Sequence, residues 1–231
     1  MVTIAVHGVA SRRLAPERAT VTVVATATGN DRADVVTRVA TQHDRLGSEA
    51  AAFEAAGAAE SWHTNGLTTG ITWEWRTVEG TNEQVRRFRA DAEVTVTFRE
   101  IGELQTWLLD VAQREDVEVR SVGWDLTDAT RTTALSLLRA AAVTDAVTRA
   151  VDLADAAGLG TPRLSALYES GLRPGLGDGG PHPTPMFARA MSADAGGGSG
   201  LDLHPQEIEL TATVTADFTT GSSTPAPIAA G

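Results

Sequence analysis

Residues 88–98 read Phe-Arg-Ala-Asp-Ala-Glu-Val-Thr-Val-Thr-Phe, with apolar residues at the even positions and polar residues at the odd positions. Residues 208–218, Ile-Glu-Leu-Thr-Ala-Thr-Val-Thr-Ala-Asp-Phe, repeat this pattern. Alternation with a period of two over such lengths predicts long strands with one buried and one solvent-exposed face, which antiparallel sheets permit. The same alternation recurs around Ile71, Trp73 and Trp75, with Thr72 and Glu74 on the opposite side.

Two long helices are predicted between these strands. The first spans 31–56, with Asn30 or Asp31 as its cap and Gly57 at its end. The second spans 130–157 and ends at Gly158, and a shorter helix spans 101–113. Apolar residues at three- and four-residue steps define the buried stripe of each long helix. These residues are Val39, Leu46, Ala50 and Phe53 in the first helix, and Leu135, Leu138, Ala142, Ala146, Ala150, Leu153 and Ala157 in the second.

The order of the elements suggests an internal duplication. Strands are predicted at 20–28, 67–76, 86–98, 117–126, 163–169 and 207–218, with one long helix after the first strand and one after the fourth. This gives two β-α-β-β units with matching final strands. We therefore predict an α+β fold in which long antiparallel strands pack in two layers against two long helices. The two units could share one core or form subdomains, and we expect a shared core.

The domain boundaries follow from changes in composition. Residues 171–205 are rich in glycine and proline and cannot hold a helix or a strand interior. We expect a single domain over 1–219 that includes this loop, followed by a disordered tail at 220–231.

Composition excludes several kinds of chemistry. The chain has no cysteine, which removes disulfides, thiolate zinc sites and cysteine nucleophiles. All 19 basic residues are arginine and the net charge is −11. An acidic chain without a basic stripe repels a phosphate backbone, so nucleic acid is not an expected partner.

The N-terminus bears on the compartment. Residues 11–15, Ser-Arg-Arg-Leu-Ala, look like a twin-arginine export signal, but residues 20–28 alternate threonine with apolar residues and indicate a strand. No apolar run is long enough to span a bilayer. We expect a cytoplasmic protein, or an exported one if the true start lies upstream.

No motif points to a catalytic or cofactor site. Residues 175–180 fit G-x-G-x-x-G, but Pro181, Pro183 and Pro185 prevent the helix that a dinucleotide site requires. No two of the five histidines have metal-ligand spacing. We therefore predict no catalytic residue, no metal and no cofactor.

The chain resembles the SIMPL domain family, named after a signalling molecule that associates with a mouse pelle-like kinase. The resemblance covers roughly residues 2–219. It is carried by the opening 4–8, by 15–19, by the helix end at 152–160, and by 204–208 after the Pro-rich loop. It implies a protein of unknown biochemical role, in a family whose bacterial members mostly look exported and some of which are thought to form large homo-oligomers. No catalytic residue is implied.

Two functions stay open on the sequence. The first is a non-catalytic interaction or self-assembly module, with a second copy or another protein as partner and with the 171–205 loop in the contact. The second is a small-molecule-binding protein or enzyme with a site beneath that loop. Apolar strand positions are usually core, so Trp73 and Trp75 are expected to be buried, although they could form a ligand platform. The candidate ligand or interface residues are Trp73, Trp75, His182, Met186, Phe187 and His204.

Overall fold

A computed structural model describes residues 1–78, 81–169, 171–173 and 205–221. The described residues form seven strands and three helices. The strands are β1 (Val2–Leu14), β2 (Arg18–Gly29), β3 (Ala59–Val78), β4 (Thr81–Phe98), β5 (Val117–Asp125), β6 (Arg163–Glu169) and β7 (Ile208–Thr220). The helices are α1 (Arg32–Ala56), α2 (Ile101–Val111) and α3 (Asp128–Ala156). The predicted α+β class with long antiparallel strands is confirmed.

The chain divides into two compact units. The α1 unit contains β2, α1, β3, β4, α2 and β5, and its sheet has the order β3-β4-β2-β5. The α3 unit contains β1, α3, β6 and β7, and its sheet has the order β1-β7-β6. All the strand pairs are antiparallel. In both units a β-α-β-β run places its first strand beside its last strand, so the predicted duplication is present in the topology.

The membership of the second repeat was predicted wrongly. The sequence pattern assigned strand 117–126 as its first strand, whereas β5 pairs with β2 in the α1 unit. The first strand of the second repeat is β1, at the other end of the chain, and it pairs with β7 along its whole length from Val2 to Leu14. Strand periodicity carries no information on the pairing partner, because every amphipathic strand offers the same backbone groups.

The core of the α1 unit lies between α1 and one face of its sheet. The even-numbered residues from Ala90 to Phe98 on β4 are buried, as the alternation predicted. They pack against the stripe of α1, in which Val35, Val39, Leu46 and Ala50 are buried. Asp31 caps α1 by accepting a hydrogen bond from the backbone N–H of Asp34 at 2.9 Å. Gly57 ends the helix in the left-handed conformation.

The α3 unit has a core built on small residues. The buried stripe of α3 consists of Ala134, Leu138, Ala142, Ala146, Ala150 and Ala154. Gly8 on β1 lies beneath it, and a Cβ there would come within 2.0 Å of the carbonyl oxygen of Ala142. Helix and strand backbones therefore approach closely, because the side chains between them are small. Leu153 and Ala157 were wrongly placed in this stripe and are exposed.

A charged network joins α1 to the chain that follows α2. Arg114, whose side chain is only 8% exposed, donates to both carboxylate oxygens of Glu49 at 2.8 and 2.9 Å. Trp107 Nε1 donates to the same carboxylate at 2.8 Å. Burial alone would raise the pKa of Glu49, but the hydrogen bonds from Arg114 and Trp107 outweigh it, and the net pKa is lowered. An ion pair therefore joins α1 to the end of α2 and the residues after it, in addition to the apolar packing of the core.

Candidate interaction surface

The outer part of the β3–β4 hairpin extends beyond the helix that covers the rest of it. We call residues 67–78 of β3 and 81–88 of β4 the arm. The helix α1 has 25 residues, or about 37 Å at 1.5 Å per residue. The strand β3 has 20 residues, or about 66 Å at about 3.3 Å per residue. About 30 Å of the hairpin therefore extends beyond the length that α1 can cover.

The position of the helix N-terminus shows which end is left uncovered. Arg32, the first residue of α1, donates a hydrogen bond to the hydroxyl of Thr69 on β3 at 2.8 Å. At the other end of the helix, the backbone N–H of Arg99 bonds to the carbonyl of Ala58. The helix thus lies along the base of the hairpin and begins at the level of Thr69, where the arm starts.

A bulge in β3 sets the face to which the arm residues belong. At the base, even residues of β3 pair with even residues of β4, as Trp62 does with Val96. The register shifts between Asn65 and Thr68, and beyond it odd residues of β3 pair with even residues of β4, as Ile71 does with Phe88. The extra residue in β3 moves its odd-numbered residues to the face that the even-numbered residues occupy before the bulge. Ile71, Trp73 and Trp75 therefore continue the apolar face that α1 covers at the base.

This apolar row, Ile71, Trp73 and Trp75, is exposed. The exposed fractions are 54% for Ile71, 59% for Trp73 and 67% for Trp75, and Leu67 nearby is also exposed. The expectation that the two tryptophans belong to the core is wrong. Their shared face was predicted correctly, but their burial was not, because α1 does not extend over this part of the hairpin.

The polar face of the arm carries an ion pair. On the polar face, Arg87 donates to the carboxylate of Glu74 at 2.9 Å and also contacts the side-chain oxygen of Asn30. On the apolar face, Arg86 lies opposite Trp73 in the register, with its guanidinium 4.9 Å from the centre of the Phe88 ring. The polar face thus carries an ion pair, whereas the apolar face carries aromatic rings with Arg86 beside them.

Four of the six candidate residues, His182, Met186, Phe187 and His204, lie outside the described residues. Trp73 and Trp75 lie on the same face of the arm, two positions apart in β3. The predicted lengths did not mark them as exposed, because the predicted first helix, about 39 Å long, is about as long as the predicted strands 67–76 and 86–98.

Two open concavities lie among the described residues. One, of about 690 Å³, is lined mainly by the end of α1 and the start of α2, including Phe53, Glu100 and Glu103. The other, of about 420 Å³, lies between α3, β6 and β7 and includes Arg139 and Tyr168. Neither is lined by Trp73 or Trp75. Within the described parts of the chain, no three His, Asp or Glu side chains cluster closely enough to bind a metal ion.

The fold and the arm define an α+β protein of two β-α-β-β units, one of which carries an exposed aromatic ribbon. The SIMPL family model, described as a protein of unknown function (DUF541), matches residues 4–218, and the chain belongs to this family. No curated protein matches the chain significantly. Of the three helices that the structure describes, none combines the length and the apolar content needed to cross a membrane.

Proposed function

We propose that the chain is a non-catalytic interaction module that assembles with copies of itself through the arm. The observation that carries this proposal is the exposed apolar row of Ile71, Trp73 and Trp75. Large apolar side chains clustered on one exposed surface are typical of interaction sites. Tryptophan is enriched among the residues that contribute most to binding at protein interfaces.

The construction of the arm also favours binding over a role in folding. The arm residues Ile71, Trp73 and Trp75 lie outside the main apolar core of the α1 unit. A two-stranded ribbon without a covering layer is only marginally stable in water. A partner that contacts the apolar row therefore removes part of it from water and stabilises the ribbon.

The test is the mass of the protein in solution. The wild-type chain, of 24.2 kDa, is measured by light scattering from about 1 to 100 μM beside the double variant Trp73→Thr/Trp75→Thr. Threonine suits a strand, so the ribbon is retained while the aromatic surface is removed. We expect the wild type to show the mass of two or more chains at the higher concentrations and the variant to remain at the mass of one chain.

The matched control removes two other exposed apolar side chains. Leu137 and Leu153 on α3 are exposed to a similar extent, and Leu137→Gln/Leu153→Gln keeps good helix formers at both positions. This variant is expected to assemble like the wild type. A wild-type chain that keeps the mass of one chain up to 100 μM would show that the module does not assemble with itself.

A further inference from the structure

The outer edge of β3 is open along its whole length in the part of the chain that the structure describes. β3 is the last strand of its sheet, and β4 is its one partner there. Its outer edge therefore presents unpaired N–H and C=O groups over 20 residues. No proline interrupts the strand, and no lysine guards it, since the chain contains none. Proteins commonly block long exposed edges with such residues, and this edge has neither.

The side chains of this edge restrict how two copies of it could pair. In an antiparallel pair of identical strands, residues i and j lie opposite each other when i + j is constant. An even sum places both apolar rows on the same face of the joined sheet, because side chains alternate with a period of two. A sum of about 148 would set Glu74 opposite its own copy, and a sum of about 152 would set Arg76 opposite its own copy. Like charges directly opposite each other destabilise a sheet, so both registers are unfavourable.

One register satisfies the whole apolar row. When Trp73 lies opposite Trp73 of the second copy, Ile71 lies opposite Trp75, so each member of the row meets another member. Aromatic pairs and pairs of an aromatic with a β-branched residue are among the favourable cross-strand pairs. In the same register Glu74 lies opposite Thr72 and Arg76 lies opposite Gly70. The intramolecular pair of Glu74 with Arg87 can therefore persist.

We infer that two copies of this chain pair through the outer edges of β3, antiparallel and with Trp73 on the two-fold axis, to form one sheet continuous across both molecules. This inference rests on the proposed function and specifies its contact. The occupant of the edge is a second copy because the apolar row is self-complementary in that register and Glu74 keeps its ion pair with Arg87.

The size of the contact sets the affinity range. A buried tryptophan removes about 150–250 Å² from water. The exposed fractions of Trp73 and Trp75 thus supply about 200–300 Å² per copy. Even with the other arm residues, the contact is at or below the small end of specific interfaces, about 1,200 Å² in total. The pairing is therefore weak, and it has to be tested at high concentration or trapped chemically.

Cysteine cross-linking tests the register, because the chain has no cysteine of its own. Thr72→Cys and Glu74→Cys are made as single variants, which leave the apolar row intact. In the inferred register residue 72 of one copy lies opposite residue 74 of the other, with Cα atoms about 4.5–5.5 Å apart, within disulfide range. Residue 72 and its own copy are displaced by two residues along the strand, which separates their Cα atoms by about 8 Å and places them beyond that range.

The expected result is a disulfide-linked dimer when the two variants are mixed and oxidised, at a level at least about tenfold above either variant alone. Adding Trp73→Thr/Trp75→Thr to both variants is expected to abolish the cross-link. Equal cross-linking in the mixture and in the single variants overturns the inference. So does cross-linking of Thr72→Cys with Arg76→Cys in preference to Glu74→Cys, since that pair reports the register with Glu74 opposite itself.

The outcomes also separate this inference from the proposed function. If the aromatic variant loses assembly but no mixture cross-links, the arm assembles through its face, and edge pairing is wrong while the proposed function stands. If the wild-type chain keeps the mass of one chain and no mixture cross-links, both fail.

Discussion

The two β-α-β-β units follow one topology but differ in the match between helix and strand. In the α3 unit, α3 has 29 residues and β7 has 13, so both are about 43 Å long. In the α1 unit the helix is about 37 Å long and β3 about 66 Å. The difference shows that the cover of an apolar strand face depends on the length of the helix packed on it and not on the topology of the unit. The surplus length becomes an arm whose apolar side has no helix to cover it.

The largest effect is expected where strand and helix match. Val214 on β7 is buried, whereas Thr213 beside it is partly exposed on the other face. Val214→Asp places an unpaired charge in the α3 unit and should lower the free energy of unfolding by roughly 3 kcal/mol or more. Thr213→Asp should lower it by about 1 kcal/mol or less. Urea unfolding of both variants measures the difference, and equal losses would contradict the assignment of the two faces.

A smaller effect separates two glycines, one in each unit. A Cβ at Gly8 would lie within 2.0 Å of the backbone oxygen of Ala142 on α3, whereas a Cβ at Gly70 in the arm meets nothing within 4 Å. Gly8→Ala forces α3 away from β1 and should lower the melting temperature, at a cost of about 1–3 kcal/mol. Gly70→Ala should be neutral or raise the stability by up to about 1 kcal/mol, because glycine weakens a strand interior.

Thermal unfolding of Gly8→Ala and Gly70→Ala side by side checks this contrast. A Gly70→Ala variant as unstable as Gly8→Ala would mean that the arm is packed against something that covers it. A Gly8→Ala variant that unfolds like the wild type would mean that α3 and β1 are not in close contact.

The sequence predicted the elements of both units because their residues carry local signals. Alternation marks β4 and β7, and Asp31 and Gly57 mark the ends of α1, since caps and alternation act over a few residues. The pairing of β1 with β7 joins the two ends of the chain, and no local pattern specifies such a contact. The full extent of β3 and β4 and the bulge after Asn65 were also missed, and both predicted strands were too short.

For the candidate site, the face of the residues could be predicted from the sequence, but their exposure could not, for a related reason. The shared face of Trp73 and Trp75 follows from alternation, but burial depends on the distance that a second element reaches. The predicted helix of 31–56 is about 39 Å long and the predicted strands of 67–76 and 86–98 are about 33 and 43 Å long, so the predicted lengths did not show that the helix falls short. The exposure of the tryptophans follows from the full lengths of β3 and β4, which only the structure shows.

The smallest effect is expected for a substitution that tests whether α1 covers the arm. The same change to threonine is made at two positions on one face of the hairpin, one under α1 and one in the arm. Val94 at the base is fully buried under α1, and Ile71 in the arm is 54% exposed. Threonine keeps the β-branched shape at both positions, so strand propensity changes little. Val94→Thr buries a hydroxyl and should lower the free energy of unfolding by about 1–3 kcal/mol, whereas Ile71→Thr leaves the hydroxyl in water and should change it by about 0.5 kcal/mol or less.

Both variants are to be unfolded in urea at a concentration where light scattering gives the mass of a single chain, because assembly would stabilise the folded state by mass action. At higher concentration the ranking should change. Ile71→Thr removes a member of the row that pairs across copies, so its melting temperature should rise less with concentration than that of the wild type or of Val94→Thr. If Ile71→Thr is as costly as Val94→Thr in the dilute single chain, the arm is covered within its own molecule, and the length difference between the units has no consequence for assembly.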